Sequence, residues 1–138
     1  MALPNSGTKY ANFSNVEVGN SVNLNGKIKV NGQIQNSGNV DVTVSAAISE
    51  NIQSVELNHA TVAVVTTIAD AANHAGLFVV KNTSASGTAA HTLTLTAGTF
   101  NGTNNVATLN APDEALVVFF DSAGNGTVVA NIGTVALS

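Results

Sequence analysis

Residues 13–42 read FSNVEV, GNSVNL, NGKIKV, NGQIQN and SGNVDV, a run of sixes in register. The fourth place is always β-branched: Val16, Val22, Ile28, Ile34 and Val40. The sixth place holds Val18, Leu24, Val30, Asn36 and Val42, while Gly26, Gly32 and Gly38 share the second. Side chains alternate along a strand, so the fourth and sixth places of each six face one way. Asn25-Gly26 and Asn31-Gly32 supply the positive φ that tight turns need. A period this short marks a repetitive β structure whose stacked units bury a continuous apolar row.

Such units cannot bury their apolar face without neighbours. The tract is too short for a single-chain β-solenoid of several coils, so the missing neighbours are expected from other chains. Three copies wound about one axis would satisfy every row, and closed rotational symmetry is the default for self-assembly. The row Val16, Val22, Ile28, Ile34 and Val40 is therefore the expected trimer interface. The Asn-Gly pairs are also compatible with ordinary hairpins of a meander, although these sixes are short for hairpin strands.

From about Glu50 the texture changes. Strand-like runs are expected at 52–57, 61–68, 77–81, 91–96, 106–109, 115–121, 127–132 and 134–137. Turn clusters at 82–87, 98–105, 111–114 and 122–126 separate them. In His91-Thr92-Leu93-Thr94-Leu95-Thr96 the leucines face a core and the threonines face out. Leu116-Val117-Val118-Phe119-Phe120 is apolar on both faces, which suits a central strand or one whose outer face another subunit covers. Residues 69–75 suit one helical turn with Asp70 and Asn73 as polar members. The chain thus reads as all-β: an arm (1–12), a repetitive β region (13–48), and an antiparallel sandwich or jelly-roll-like domain (49–138).

Composition narrows the function. Of 138 residues, 44% are hydrophobic and only 9% charged, where about 25% charged is usual. Neutral Asn, Thr, Ser, Gly and Ala must cover the surface. The net charge is −4 and there is no Arg. Nucleic-acid binding leans on phosphate neutralisation and on arginine's forked guanidinium, so no nucleic acid is expected as partner. The absence of Cys excludes disulfides and thiolate metal sites. The segment Met1-Ala2-Leu3-Pro4-Asn5-Ser6-Gly7 lacks the regions of a signal peptide, and no apolar run approaches the ~18 residues of a membrane span. Synthesis in the cytoplasm and no membrane partner are the expectation.

The chemistry-bearing residues are few. His59, His74 and His91 sit on different segments with no helical metal-ligand spacing, so surface or turn positions are expected. Asp113-Glu114 invites a glycosidase reading, but neighbours in an extended chain point apart, whereas paired catalytic carboxylates face one site roughly 5–10 Å apart. A type I turn at 111–114 is the simpler reading. Asp121-Ser122-Ala123-Gly124-Asn125-Gly126 lacks the full ligand series of a calcium loop and reads as a hairpin loop. No catalytic residue, metal site or cofactor is expected, and the chain is not read as an enzyme. With no Trp and only Tyr10, a dedicated sugar-stacking platform is also disfavoured.

The order Gly76-Leu77-Phe78-Val79-Val80-Lys81-Asn82, a polar loop, Leu93-Thr94-Leu95-Thr96-Ala97-Gly98-Thr99, then Ala115 to Asp121, then Gly126-Thr127-Val128-Val129 resembles a small β-sandwich. Domains of this kind recur in tailed-phage fibres, head fibres and capsid decoration proteins. The resemblance covers roughly the last sixty residues, and the sixes before it look like the intertwined trimeric stalks of the same virion proteins. It implies a homotrimer fixed to a virion. The short chain favours a capsid decoration, or cement, protein on the outer capsid surface, with the major capsid protein as partner. The alternative is a short fibre or receptor-binding knob that attaches to a host-surface glycan. Leu3, Pro4, Tyr10 and Phe13 hold a large share of the scarce bulky groups in an otherwise aperiodic terminus, and are the expected capsid-docking residues.

Overall fold

Along most of its length the chain crosses to a second sheet after each short strand, and only its last long hairpin stays within one sheet. The computed structural model describes residues 39–50, 52–85 and 89–138. Among them the strands are β1 (Asn39–Val42), β2 (Ala46–Ala47), β3 (Ser54–Leu57), β4 (Val65–Ile68), β5 (Gly76–Asn82), β6 (His91–Leu95), β7 (Thr99–Phe100), β8 (Val106–Leu109), β9 (Ala115–Phe120), β10 (Asn125–Ile132) and β11 (Ala136–Leu137). The first sheet runs β1-β3-β5-β9-β10-β7 and the second β11-β8-β6-β4-β2. A 3-10 turn at Ala71–His74 is the only helical element among the described residues. Asp70 caps it by accepting from the Ala72 N–H at 3.0 Å, where the sequence places a helical turn.

The chain is all-β, but its sheets are mixed. β1, β3 and β5 pair in parallel in one sheet, and β2, β4 and β6 do so in the other. β8 to β11 pair antiparallel with their neighbours, while β7 lies parallel to β10. The expected purely antiparallel order therefore gives way to three flattened coils closed by antiparallel strands. From β1 to β6 the chain alternates between the sheets, and the same-sheet neighbours of that stretch all run the same way. β2 and β7 are two residues each, too short for an alternating pattern to reveal them.

The last of the sixes, Ser37 to Val42, contains β1. Its alternate residues join rows that cross the first sheet. Val40 pairs with Val55, Val55 with Val80, and Val80 with Leu116. Val42, Leu57 and Asn82 form the next row. From the second sheet Ile68, Leu93, Leu95, Ala107 and Leu109 meet these rows in one continuous core. Leu93 and Leu95 are buried as the alternation requires, and β9 is central, between β5 and β10.

Aromatic rings form a cluster within this core. Phe78 and Phe120 lie 5.8 Å apart edge to face, Phe100 is 6.2 Å from Phe120, and His74 sets its edge against Phe78 at 5.5 Å. Gly126 makes room for this cluster. A Cβ there would come within 2.9 Å of the Thr99 carbonyl oxygen and 2.8 Å of the Phe120 ring. Phe120→Ala is expected to lower stability by about 3–5 kcal/mol, the usual cost of emptying a buried phenylalanine site. Urea unfolding of the variant checks this, and a loss under about 1 kcal/mol would mean the rings are not the centre of the core.

Candidate functional site

Two of the three histidines meet at one end of the second sheet. His91 on β6 is fully buried, and its Nδ1 accepts the Val64 N–H at 2.9 Å. That bond leaves the ring proton on Nε2, which lies 3.0 Å from Ser84 Oγ. Ser84 Oγ accepts the His59 N–H at 3.0 Å and donates to the His59 carbonyl at 3.1 Å. His59 Nδ1 in turn accepts from the N–H groups of Thr61 and Val62. The serine and histidine stand at the separation of a nucleophile and base, but the tautomer is wrong for that work. Nε2–H donates to the hydroxyl and has no lone pair to take its proton. The group is a clamp that ties the loops around His59 and Ser84 to β6. Burial holds the His91 pKa below its ordinary value.

His74 lies elsewhere, in the aromatic cluster, with Nδ1 donating to the Ile52 carbonyl at 2.7 Å. The three histidines do not converge, and no group of three or more His, Cys, Asp or Glu side chains suited to a metal ion occurs among the described residues.

Asp113 and Glu114 diverge as their adjacency suggests. Asp113 is exposed and pairs with Lys81 Nζ at 2.8 Å across the surface. Its φ of 64° replaces the expected type I turn with the positive i+2 angle of a type II turn, after Pro112. Glu114 is buried. Its Oε2 accepts from the Asn110 and Ala111 N–H groups at 2.6 and 3.0 Å, and its Oε1 from the Thr134 N–H and hydroxyl at 2.9 and 2.7 Å. Burial alone would raise its pKa, but the bonds from Thr134, Ala111 and Asn110 outweigh it and hold the carboxyl below its ordinary value. Gly133, at φ 84°, lets the chain pass close beside it, since a Cβ there would stand 2.7 Å from Glu114 Cγ.

The 121–126 segment is the β9–β10 hairpin loop. Asp121 Oδ1 accepts from the Ala123 and Asn125 N–H groups and Oδ2 from Asn125 Nδ2, all within 2.9 Å. These bonds from Asn125 lower the Asp121 pKa. The positive φ falls on Gly124 rather than Gly126, and the carboxylate serves its own loop.

Two surface features remain. A groove of about 280 Å³ lies along the first coil, lined by Val40, Val42, Val44, Ala47, Ile48 and Ile52 among others. The outer face of the first sheet carries Leu77 and Phe119 directly opposite each other, both about half exposed. The sequence signal for this face was a run apolar on both sides. It is visible in 116–120 and equally in Leu77-Phe78-Val79-Val80. Of the row expected at the trimer interface, Val40 is half-buried against the core of its own chain. Val16, Val22, Ile28 and Ile34 lie outside the described residues, as do Leu3, Pro4, Tyr10 and Phe13.

Glu114→Gln is expected to lower stability by at least about 2 kcal/mol, because an amide NH2 would face N–H donors that now share a carboxylate. Thermal unfolding beside wild type checks this. His91 gives a pH dependence of known sign. Its folded pKa lies below the unfolded value of about 6.5, so its contribution is complete above that pH and is lost as pH falls through the folded pKa. Urea midpoints should fall between pH 7.5 and pH 5, and the slope should flatten in His91→Gln.

Comparison of the chain with protein-family models, with curated proteins and with solved structures finds no match.

Proposed function

We propose that this chain is a structural virion protein: a trimeric capsid decoration protein of a tailed phage that binds and stabilises the outer capsid surface. The observation that carries this reading is the work done by its ionisable side chains. Glu114, Asp121, His74 and His91 each hold a loop through hydrogen bonds to backbone groups. Their bonds serve the fold, tying loops to the two sheets. The short-period β sequence that leads into parallel rungs fits the same purpose. Local rigidity repeated along an axis suits a part that must persist on a particle.

In this reading the row Val16, Val22, Ile28 and Ile34 is buried between three intertwined copies, ahead of a sandwich-like domain. The N-terminal arm carries the docking groups Leu3, Pro4, Tyr10 and Phe13 to the major capsid protein. Each bulky anchor contributes roughly 1.5–3 kcal/mol if fully desolvated, and the three arms of a trimer convert modest single-arm affinity into avidity.

Co-sedimentation with undecorated capsids of the source phage tests the reading. The full chain is expected to bind saturably and in multiples of three. Deletion of residues 1–12 should leave a folded protein that stays in the supernatant. No binding by the full chain at micromolar concentration would sink the proposal. Binding to host cells instead of capsids would favour the short fibre or receptor-binding knob.

A further inference from the structure

We propose that residues 58–64, between β3 and β4, form an acid-released strap: two imidazole rings pin it closed, and protonation of those rings frees it while the two sheets stay folded.

Residues 60–63 are exposed, whereas Val64 at the end of the strap is buried. Backbone bonds to neighbouring strands hold both ends. The Asn58 N–H donates to the Val42 carbonyl at 3.0 Å, and the Val64 carbonyl accepts from the Thr92 N–H at 3.0 Å. Between these points the backbone has no ladder. Among the described residues, each N–H of 60–64 that finds a partner finds an imidazole Nδ1. Those of Thr61 and Val62 donate to His59 at 3.3 and 3.0 Å, and that of Val64 donates to His91 at 2.9 Å. Ser84 Oγ links the two supports, because it bonds the His59 N–H, the His59 carbonyl and His91 Nε2.

A ring nitrogen accepts only while its lone pair is free. Protonation puts an N–H on each Nδ1, so donor then faces donor at all three contacts. The Val64 N–H, which is buried, is left without an acceptor. The loops held by carboxylates behave differently. Glu114 and Asp121 have pKa values below those of ordinary carboxyl groups, so they still accept at a pH where imidazole has gained its proton. Acid therefore acts on this loop before those.

The surroundings of His91 favour release. His59, on the strap, is the titratable side chain that acts on it, and two imidazolium rings repel each other. Its neighbours Val64 and, on β8, Leu109 are not ionisable. The carboxylates of the turn after β8 are engaged elsewhere, Asp113 with Lys81 and Glu114 with Asn110, Ala111 and Thr134. Burial keeps the His91 pKa below that of a free imidazole, about 6.5, so the closed strap is fully favoured above that pH and is lost as pH falls through the folded value. At pH 5 this linkage favours the open strap by up to about thirtyfold from His91 alone.

Amide hydrogen exchange of the full chain, resolved by residue with NMR, tests the strap. Rates are taken relative to an unstructured peptide at the same pH. From pH 7.5 to pH 5 the relative rate at Val64 is expected to rise at least tenfold, with Phe78 and Val80 on β5 protected at both values. His59→Asn combined with His91→Asn places a carbonyl oxygen that does not titrate near each Nδ1, and the rise should then fall below threefold. A smaller rise in wild type overturns the inference. So does loss of protection on β5 at pH 5, which would mean that the whole domain opens. A rise above threefold in the doubly substituted chain would put the proton on another group and sink the idea as well. Should that variant not fold, the wild-type comparison of Val64 with Phe78 and Val80 decides alone.

Discussion

The parallel pairing of β3 with β5 is the constraint on which the rest of the molecule depends. Parallel neighbours cannot be joined by a tight turn, so the chain must leave the sheet and come back. Here it leaves through β4, and that excursion is the second sheet. One requirement therefore generates both layers and the core between them. The row Val40, Val55, Val80 and Leu116 carries the pairing inward as packed side chains, and β9 ends the parallel series by turning its direction. All the later strands are fitted onto edges that this series leaves.

Crossings between sheets create loops whose N–H groups have no ladder partner, and buried backbone donors must be satisfied. Polar side chains answer that need, in these loops and in the β9–β10 hairpin alike. Glu114 takes the donors of residues 110, 111 and 134, and Asp121 those of 123 and 125. His91 takes that of Val64, and Asn101 that of Val128. A carboxylate buried among so many donors is held ionised by the same bonds that fix the loops. Glu114 and His91, which carry chemistry by type, are thus buried as ties between loops and strands.

Strand positions from β3 onward were largely legible, because alternation in segments such as His91 to Leu95 reports directly on which side meets the core. Direction was not. Alternation is the same for a parallel and an antiparallel strand, and only the path between strands separates them. The two-residue strands β2 and β7 carry no period at all. At the candidate sites, the divergence of Asp113 from Glu114 followed from adjacency alone. The joining of Ser84 to His91 did not, since it depends on how β6 lies beside the loop after β5. The type II turn at Asp113 was missed because Pro112 is favourable in both turn types and only the following φ distinguishes them.

The coil architecture also orders events in time. Ser54 pairs with Val79, and Val65 with Thr92, across the intervening crossings. Contacts so distant along the chain form only after large loops close, which places folding toward the slow, millisecond-to-second end for domains of this size. The same sealing works in reverse. β5 is bordered by β3 on one side and by β9 on the other, so its amides exchange only when a neighbouring rung has already let go. β1 and β2, the outermost described rungs of their two ladders at the N-terminal end, should exchange first. Protection should then rise coil by coil toward the aromatic cluster, giving the molecule a direction of opening that its nearly uniform composition does not suggest.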